Sequence, residues 1–466
     1  MNIALINTNR MKPPIAPIGM EYVAESLIAA GFPVDILDLC WEDDFTTAIS
    51  DFFSQKEYAL VGLSLRNTDD CAFSKRQSFL GDFYAMVSIV RGLTDALLVV
   101  GGVGFSSMPE LILDNCDADA GVWGDGEFAF VELTKRIRKH TAWKDVPGAI
   151  CKQNGAWQRN ASGESSLDQL PQMKRNIVDN ARYFQEGGQI GFETKRGCDC
   201  RCIYCADPVA KGSSIRCRPP VAVVDELESL LAQGVDHFHT CDAEFNLPEE
   251  HAKEVCREII NRGMGDTLKW YAYCTPKSFS RELAPLMAQA GCVGINYGVD
   301  NGDPRMLQNL KRGFTPDDIA AVARRCRDAG IVTMFDLLLG APGETKESIA
   351  NTITLMKQTK PDRVGVTVGV RVYPRTELAN RVESGEITDG LVYGDNEQEP
   401  LFFVDPSVKN IISEYLDEMI GDDPRFLFFN PDNPKKNYNY NANDVLVEAI
   451  KQGHRGAYWD ILRRIG

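Results

Sequence analysis

Several cysteines in one short segment are the residues whose types and spacing point most directly to chemistry. Cys198, Cys202 and Cys205 follow a C-x3-C-x2-C spacing, with Tyr204 directly before the third. Three thiolates can occupy three corners of a [4Fe–4S] cluster and leave the fourth iron open to a small molecule. An incomplete ligand set of this kind would be a site for chemistry, so this segment is the first candidate functional site.

Two other interpretations of these cysteines stay open at this point. A structural zinc site would need a fourth Cys or His close by, and a disulfide framework would need an oxidising compartment. A further cysteine, Cys200, lies inside the motif and could replace a neighbour as a ligand. The spacing alone does not distinguish these possibilities.

Length and composition indicate a multidomain cytoplasmic protein that binds neither nucleic acid nor membrane. The 466 residues are too many for one ordinary core. A net charge of −16 opposes binding to a phosphate backbone. No stretch approaches the roughly 18 apolar residues of a membrane span, and the N-terminus lacks a signal-peptide pattern. We expect the 14 cysteines to be reduced thiols.

Two regions of the chain alternate β-rich runs with helical patterns, which predicts an α/β protein. Residues 1–150 indicate a doubly wound parallel sheet with helices on both faces. Residues 151–188 are rich in small and polar side chains and indicate a linker. Six strand–helix units in residues 189–385 indicate a partial β/α barrel. Residues 386–466, with a polar run at 430–441, form a small and mostly helical C-terminal region.

Turns that follow strands of the first region could contact a ligand. The turns at the predicted carboxyl ends of the strands contain Ser64-Leu65-Arg66, Gly101-Gly102, Gly124 and Gly126. Ligands of doubly wound sheets bind at this edge, and glycine lets the backbone approach them closely. The pattern by itself fits a nucleotide, a flavin or no ligand.

The cysteine segment resembles the signature of the radical SAM enzymes, and the similarity extends through the second alternating region. In that family a Gly-Gly-Glu motif after the second strand binds the amino group of the methionine moiety. Glu244 is the matching carboxylate here, with Asp242 and Ala243 in place of the glycines. Asp300, after the fourth strand, would meet the ribose or the methionine portion. The resemblance implies S-adenosylmethionine, Tyr204 near it, and a [4Fe–4S] cluster on Cys198, Cys202 and Cys205.

The first domain resembles the Rossmann-like cobalamin-binding module that precedes the barrel in one subclass of that family. Ser64-Leu65 and Gly101-Gly102 match the second and third binding elements of the module. The first element, an Asp-x-His-x-x-Gly loop that supplies the lower cobalt ligand, is absent, and His140 is the only histidine of the domain. The cobalamin-binding residues implied are Ser64, Leu65, Arg66, Gly101, Gly102, Gly124 and Gly126.

Arg66 is the residue that this resemblance would place near the cobalt. A guanidinium is permanently charged and a poor metal ligand, so it could cover that face without coordinating. A salt bridge with Asp69 or Asp70 is the alternative role.

Together the resemblances cover residues 1 to 380 and imply a cobalamin-dependent radical SAM enzyme. The Ser-Leu-Arg-Asn element and the missing histidine resemble the tryptophan C2-methyltransferase branch. We expect a methyltransferase that moves a methyl group from S-adenosylmethionine, through methylcobalamin, to a carbon of a small molecule. An external electron donor such as flavodoxin or ferredoxin is implied as well.

Other functions are compatible with the same motifs. Relatives in the subclass use both cofactors for ring closure, ring rearrangement or oxidation, and a polar route to methylation would abstract no hydrogen. A methylthiotransferase would need a second cysteine set in the first domain. A non-enzymatic cobalamin or redox sensor is a hypothesis of a different class.

Tyrosines near strand ends of the barrel are the candidates for substrate contact. Tyr271, Tyr273, Tyr297 and Tyr373 could stack on an aromatic substrate or position a hydroxyl, and Tyr273, Tyr297 and Tyr373 are the catalytic candidates. Core packing with a satisfied phenol is the alternative for each. The segment Arg455–Asp460 could cap the barrel or simply pack against it.

Overall fold

The computed structural model describes residues 1–73, 76–162, 165–394, 399–428 and 443–466. The polar run at 430–441 lies outside the described residues. Two seven-stranded sheets dominate the rest, one in the N-terminal domain and one in the barrel. Within the described part of the chain, we find no helix that combines the length and the apolar character of a membrane span.

The N-terminal domain is a doubly wound sheet, as predicted. Its elements are β1 (Ile3–Asn7), α1 (Ile18–Ala29), β2 (Val34–Asp38), α2 (Phe45–Gln55), β3 (Leu60–Ser64), α3 (Leu80–Leu93), β4 (Leu97–Gly101), α4 (Val103–Ser107), α5 (Pro109–Asp114), β5 (Ala120–Val122), α6 (Gly126–Arg138), β6 (Ala149–Gln153) and β7 (Ala156–Arg159). The strand order is β2-β1-β3-β4-β5-β6-β7, and β1 to β5 are parallel.

Strand β1 illustrates why this sheet is covered on both faces. All five of its residues are buried. Successive side chains of a strand point to opposite faces, so Ile3 and Leu5 join one apolar cluster while Ala4 and Ile6 join another. A continuous apolar run is the sequence pattern of a parallel strand buried in this way.

The sheet extends past residue 150 into the segment that we expected to be a linker. Strands β6 and β7 form an antiparallel hairpin at its edge. Asn154 and Gly155 make the two-residue turn with φ angles of 51° and 85°. An Asn-Gly pair between two short strands is a strong hairpin signal, because both positions need positive φ.

The barrel is built on a second, fully parallel sheet. Its elements, with the helix before it, are α7 (Asn180–Gly187), β8 (Ile190–Phe192), β9 (Lys195–Arg196), α8 (Asp207–Lys211), β10 (Arg216–Cys217), α9 (Pro220–Ala232), β11 (His237–Thr240), α10 (Glu249–Asn261), β12 (Lys269–Cys274), α11 (Leu283–Gln289), β13 (Cys292–Asp300), α12 (Pro304–Asn309), α13 (Pro316–Asp328), β14 (Val332–Leu339), α14 (Lys346–Thr359) and β15 (Arg363–Val368). The six predicted strands are β8 and β11 to β15. Capping boxes at Thr315 and Thr345 start α13 and α14.

The C-terminal region contributes a seventh strand to the barrel sheet. Its elements are β16 (Val370–Arg371), α15 (Glu377–Glu383), β17 (Leu391–Val392), β18 (Phe402–Phe403), α16 (Ile412–Ile420), β19 (Phe426–Phe428), α17 (Asp444–Lys451) and α18 (Tyr458–Ile465). The order of the sheet is β19-β15-β14-β13-β12-β11-β8, so β19 and β8 are its edges. The barrel is therefore open, and β19 lies outside the range 189–385 that we expected for it.

An apolar plug fills the amino-terminal half of the barrel interior. It consists of Tyr271, Met334, Leu427, Ala457 and Trp459. The rings of Tyr271 and Trp459 meet edge to face at 5.8 Å between centroids. The Tyr271 hydroxyl donates to the Asp460 carboxylate at 2.8 Å. The segment Arg455–Asp460 thus packs into the amino-terminal end of the barrel. Of the two roles considered for this segment, capping and simple packing, the structure shows packing.

A buried arginine from the connecting segment joins the two domains. The Arg175 side chain donates from Nε to Glu21 of α1 at 2.8 Å and from Nη1 to Glu226 of α9 at 2.5 Å. All three side chains are fully buried. Arg175 Nη1 also donates to the Gly191 carbonyl of β8 at 3.0 Å. One guanidinium therefore pairs with a buried carboxylate from each domain.

Removal of this guanidinium should destabilise the whole protein. We expect Arg175→Met to lower the free energy of unfolding by about 3–5 kcal/mol, because it leaves Glu21 as a buried charge without an ion-pair partner and Glu226 with Arg218 alone. Urea unfolding followed by fluorescence measures the change. Glu186→Ala is the matched control: it breaks an exposed pair with Arg182 and should cost less than about 1 kcal/mol. Equal effects of the two variants would contradict the assignment.

Candidate active site

A cavity of about 1330 Å³ lies where the carboxyl edges of the two sheets face each other. From the N-terminal domain it is lined by Ser64, Arg66, Gly101, Gly102, Gly124 and Gly126, among others. From the barrel side the lining includes Tyr204, Cys205, His239, Tyr273 and Tyr373. The predicted cobalamin elements and part of the cysteine segment therefore border one space.

The two predicted cobalamin elements of the N-terminal domain are in direct contact. The Leu65 N–H donates to the Gly101 carbonyl at 2.8 Å, and the Gly104 N–H donates to the Leu65 carbonyl at 3.1 Å. Gly102 has a φ of +101°, and a Cβ there would lie 2.4 Å from the Leu65 carbonyl oxygen. Only glycine fits this approach without displacing the backbone. The backbone of these two turns therefore forms part of the cavity wall, which fits close contact with a cofactor.

Arg66 lies on the N-terminal wall, toward the barrel. Its Nη1 donates to Asn67 Oδ1 at 3.2 Å. Asp69, one of the predicted partners, pairs instead with Arg371 of β16 at 3.1 Å. Burial, assisted by the positive charge of Arg66, lowers the pKa of His239 to about 4. The guanidinium is therefore close to the barrel side of the cavity.

The cysteine loop follows β9 and ends at α8. Cys198 is buried, and Cys200, Cys202 and Cys205 are partly buried. A hydrogen bond from Cys200 lowers the pKa of the Cys198 thiol to about 6. Burial raises the pKa of Cys205, and the charges of Cys202 and Cys198 add to that rise. The thiols are thus near neighbours, as the corners of a cluster require.

A mononuclear zinc site would need a tighter arrangement. Among the residues that the structure describes, no three His, Cys, Asp or Glu side chains are grouped closely enough to hold one metal ion. The donor set of the loop, sulfur only, is the set that iron–sulfur clusters use.

Arg312 is a site residue that the sequence analysis missed. Its Nη1 lies 2.7 Å from Cys202 Sγ, and its Nε pairs with Asp300 at 2.9 Å. Its Nη2 lies 3.6 Å from Glu244 Oε1. Tyr204 donates to the same Asp300 carboxylate at 2.5 Å. Arg312 thereby brings the cysteine loop together with both carboxylates predicted to contact S-adenosylmethionine.

The carboxylates around Arg312 lie in a poorly solvated place. Burial raises the pKa of Glu244 to about 8, with smaller contributions from the charges of Cys198 and Asp300, while Arg312 opposes the rise. Asp300 is buried and has a φ of +59°. A cationic or hydroxyl-bearing ligand would suit this pair of carboxylates.

Asp242 has a structural role in place of the family's glycine. Its carboxylate accepts from the Thr194 N–H at 2.9 Å, from the Thr194 hydroxyl at 2.6 Å and from the Lys195 N–H at 3.2 Å. These bonds tie the end of β11 to the strand that enters the cysteine loop. The Asp242 carboxylate therefore supports both the loop and the turn that carries Glu244.

The predicted tyrosines divide into two groups. Tyr273 and Tyr373 line the cavity, and the Tyr373 hydroxyl lies 3.2 Å from Cys71 Sγ. Tyr271 belongs to the plug. Tyr297 is fully buried between Phe279 and Phe335 in the core outside the sheet.

The prediction that Tyr297 faces the barrel mouth is therefore wrong. On β13 the inward positions are Gly294, which contacts Tyr271, and Asn296, which bonds to Asp336. Alternate side chains point to opposite faces of a strand, so Tyr297 points outward to the helices.

Comparisons with known proteins agree with this geometry. The B12 binding domain family matches residues 5–134, and the radical SAM superfamily matches residues 192–356. The tryptophan 2-C-methyltransferase of Streptomyces laurentii is 32% identical, over 84% of this chain and 75% of that protein. The chain belongs to the cobalamin-binding radical SAM family. It is a cobalamin-dependent radical SAM methyltransferase.

Solved structures extend the similarity over the whole of this radical SAM methyltransferase. TsrM from Kitasatospora setae, with tryptophan substrate and a SAM analogue bound, superposes with a TM-score of 0.93 at 29% identity, covering 99% of this chain and 97% of that chain. A second structure of TsrM, with cobalamin and a [4Fe–4S] cluster bound, gives a TM-score of 0.90 at 28% identity and the same coverage. The α/β architecture of both domains is thus shared.

The close approach of Gly102 to the Leu65 carbonyl can be tested by substitution. We expect Gly102→Ala to lower stability by about 1–3 kcal/mol and to reduce cobalamin retention, because the new Cβ meets the Leu65 carbonyl and φ is positive. Gly92→Ala, in α3 with no atom within 4 Å of a new Cβ, is the control and should be neutral or slightly stabilising. Thermal unfolding and cobalt content after desalting measure both effects. Unchanged cobalt in Gly102→Ala would contradict the assignment.

Proposed function

We propose that the protein methylates C2 of the indole ring of tryptophan. The observation that carries this proposal is the similarity over almost the whole chain to a relative solved with tryptophan in place. When bound, S-adenosylmethionine would supply the methyl group, cobalamin would carry it, and the cluster would supply electrons. The residues of this chain bind and orient these groups and keep water away from them.

On the barrel side, the proposed cluster ligands are the thiolates of Cys198, Cys202 and Cys205. Glu244 would accept the ammonium group of the methionine moiety, and Asp300 would bind its ribose or its methionine portion. The Arg312 guanidinium holds Asp300 and approaches both Glu244 and Cys202. Its fixed charge limits the repulsion among these anionic groups.

On the opposite wall, we propose that Ser64, Leu65, Gly101, Gly102, Gly124 and Gly126 bind cobalamin. Arg66 would lie near the cobalt, where its guanidinium could exclude another ligand without itself coordinating the metal. His140 is exposed just beyond α6 and lies outside the lining of the cavity. Its position supports a cobalt without a histidine ligand from the N-terminal domain.

Two parts of the proposal concern the surroundings of the enzyme. The cluster needs electrons, so we infer an external donor such as flavodoxin or ferredoxin. A cytoplasmic location would keep the 14 cysteines reduced and supply such a donor.

Alanine variants of the loop cysteines distinguish those that bind the cluster from those that do not. After anaerobic reconstitution, we expect Cys198→Ala, Cys202→Ala and Cys205→Ala each to lose most of the iron and the broad visible absorption, because each would leave one iron without a ligand. Cys200→Ala is the matched control from the same loop and should retain both. Loss of iron from Cys200→Ala, with retention in one of the other three, would reassign the ligand set.

Methyl transfer to tryptophan can be measured directly. With labelled S-adenosylmethionine, a reductant and reconstituted enzyme, we expect labelled C2-methyltryptophan, identified by mass spectrometry and by the loss of the C2 proton signal. Enzyme without cobalamin is the control and should give none. A preparation with a complete cluster and bound cobalamin that methylates no tryptophan would reject this substrate.

A further inference from the structure

Two polar side chains from neighbouring strands lie where the cavity meets the apolar plug. Gln189 directly precedes β8, His239 stands on β11, and both line the cavity. His239 is the register partner of Gly191 on one side and of Tyr271, a plug residue, on the other. Gln189 comes two residues before Gly191 and therefore faces the same way. We call Gln189 and His239 the floor pair.

A glycine on β8 makes room for the histidine of the floor pair. A Cβ at Gly191 would lie 3.3 Å from His239 Cε1 and 3.5 Å from His239 Nε2. The imidazole ring therefore extends over β8, the strand that follows Gln189. The two side chains of the floor pair thus border one part of the cavity.

Each member of the floor pair carries a polar atom without a partner. Gln189 Oε1 and His239 Nδ1 are buried and have no hydrogen-bond partner among the described residues. The other ring nitrogen, His239 Nε2, lies 3.8 Å from Cys241 Sγ, which is a long contact. Unpaired polar atoms of this kind are costly unless a ligand satisfies them.

A molecule in the cavity can contact the floor pair. Both residues are partly exposed and both belong to the lining of the cavity. The terminal torsions of glutamine and histidine are broad, so small rotations suffice to present the unpaired atoms to a ligand. The floor pair is therefore accessible from the space that would hold the substrate.

The chemistry of the floor pair suits an uncharged ligand group. Burial, assisted by the charges of Arg66 and Arg175, lowers the pKa of His239 to about 4, so the ring is neutral at pH 7. Val366 of β15 and Phe428 of the edge strand β19 add apolar lining to the cavity. A charged group would lose its hydration at the floor pair without gaining an opposite charge.

We propose that the floor pair determines substrate specificity by accepting a hydrogen bond from an uncharged N–H group of a heteroaromatic ring. The amide oxygen of Gln189 accepts, and a neutral imidazole has one accepting nitrogen. The inference rests on the proposed function in that the indole ring of tryptophan would supply the N–H group. Sites built to hydrogen-bond a substrate group discriminate strongly against analogues that lack it.

The test is equilibrium binding by anaerobic calorimetry to the enzyme reconstituted with its cluster and cobalamin. The ligands are tryptophan and its benzothiophene analogue, in which sulfur replaces the indole N–H. We expect the unmutated enzyme to bind tryptophan roughly tenfold more tightly, or better. In the double variant Gln189→Leu/His239→Phe the ratio of the two Kd values should fall to near one, because the same hydrogen bond is removed twice.

The ratio of Kd values separates recognition from folding, because a general loss of structure would weaken both ligands alike. His237→Phe is the matched control from the same strand: His237 lies outside the lining of the cavity, and its Nδ1 lies 2.6 Å from Asp236. It should leave the ratio unchanged. Thermal unfolding and cobalt content check each variant. Should the double variant not fold, each single variant should lower the ratio about threefold or more.

A second pair of ligands, indole and benzothiophene, makes the same exchange without the amino-acid part and separates this inference from the proposed substrate. Equal binding of tryptophan and its analogue by the unmutated enzyme, or a ratio that the variants leave unchanged, would overturn the role of the floor pair and leave the proposed function standing. A preference for indole that the double variant loses, without binding of tryptophan, would support the floor pair and reject tryptophan. No binding of any of the four ligands would overturn both.

Discussion

Arg175 belongs to the connecting segment, yet its guanidinium lies fully buried between a carboxylate of α1 and a carboxylate of α9. Burial of charge is unfavourable unless the partners meet at hydrogen-bonding distance. The relative position of the two domains is therefore held to the tolerance of a hydrogen bond. A second buried arginine, Arg196, pairs with Glu127 and Asp125 of the N-terminal domain next to the cysteine loop. The cavity depends on these pairs because its two walls belong to different domains.

The charge distribution within the cavity follows a similar principle. On the barrel wall, Glu244 and Asp300 converge with the thiols, and a single arginine, Arg312, contacts Asp300 and Cys202 and approaches Glu244. On the opposite wall the prominent cation is Arg66. Three guanidinium groups, those of Arg66, Arg196 and Arg371, line the cavity itself, and Arg312 lies outside its lining among the carboxylates. Because arginine stays charged at any accessible pH, this compensation does not depend on the protonation state of the site.

Much of the fold could be predicted because strands that are buried on both faces have largely apolar sequences, as in β1 and β14. The cysteines and Glu244 could be proposed as site residues because a short motif carries them. Arg312 could not, since its role depends on contacts with β13 and the cysteine loop that are distant in sequence. The error at Tyr297 is of a different kind: one residue of strand register decides which face a side chain takes. Strand β19 was missed because three residues at a sheet edge carry little pattern.

The plug also bears on how the enzyme is made. Trp459 and Ala457 pack against Tyr271 and Met334 of the barrel strands, and the bond from Tyr271 to Asp460 spans 189 positions of the chain. Domains generally fold from the N-terminal side as the chain is synthesised. The barrel strands are therefore all made before the residues that fill their interior become available. Until then the amino-terminal half of the nascent barrel is open. The apolar plug beneath the active site is therefore completed late in biosynthesis.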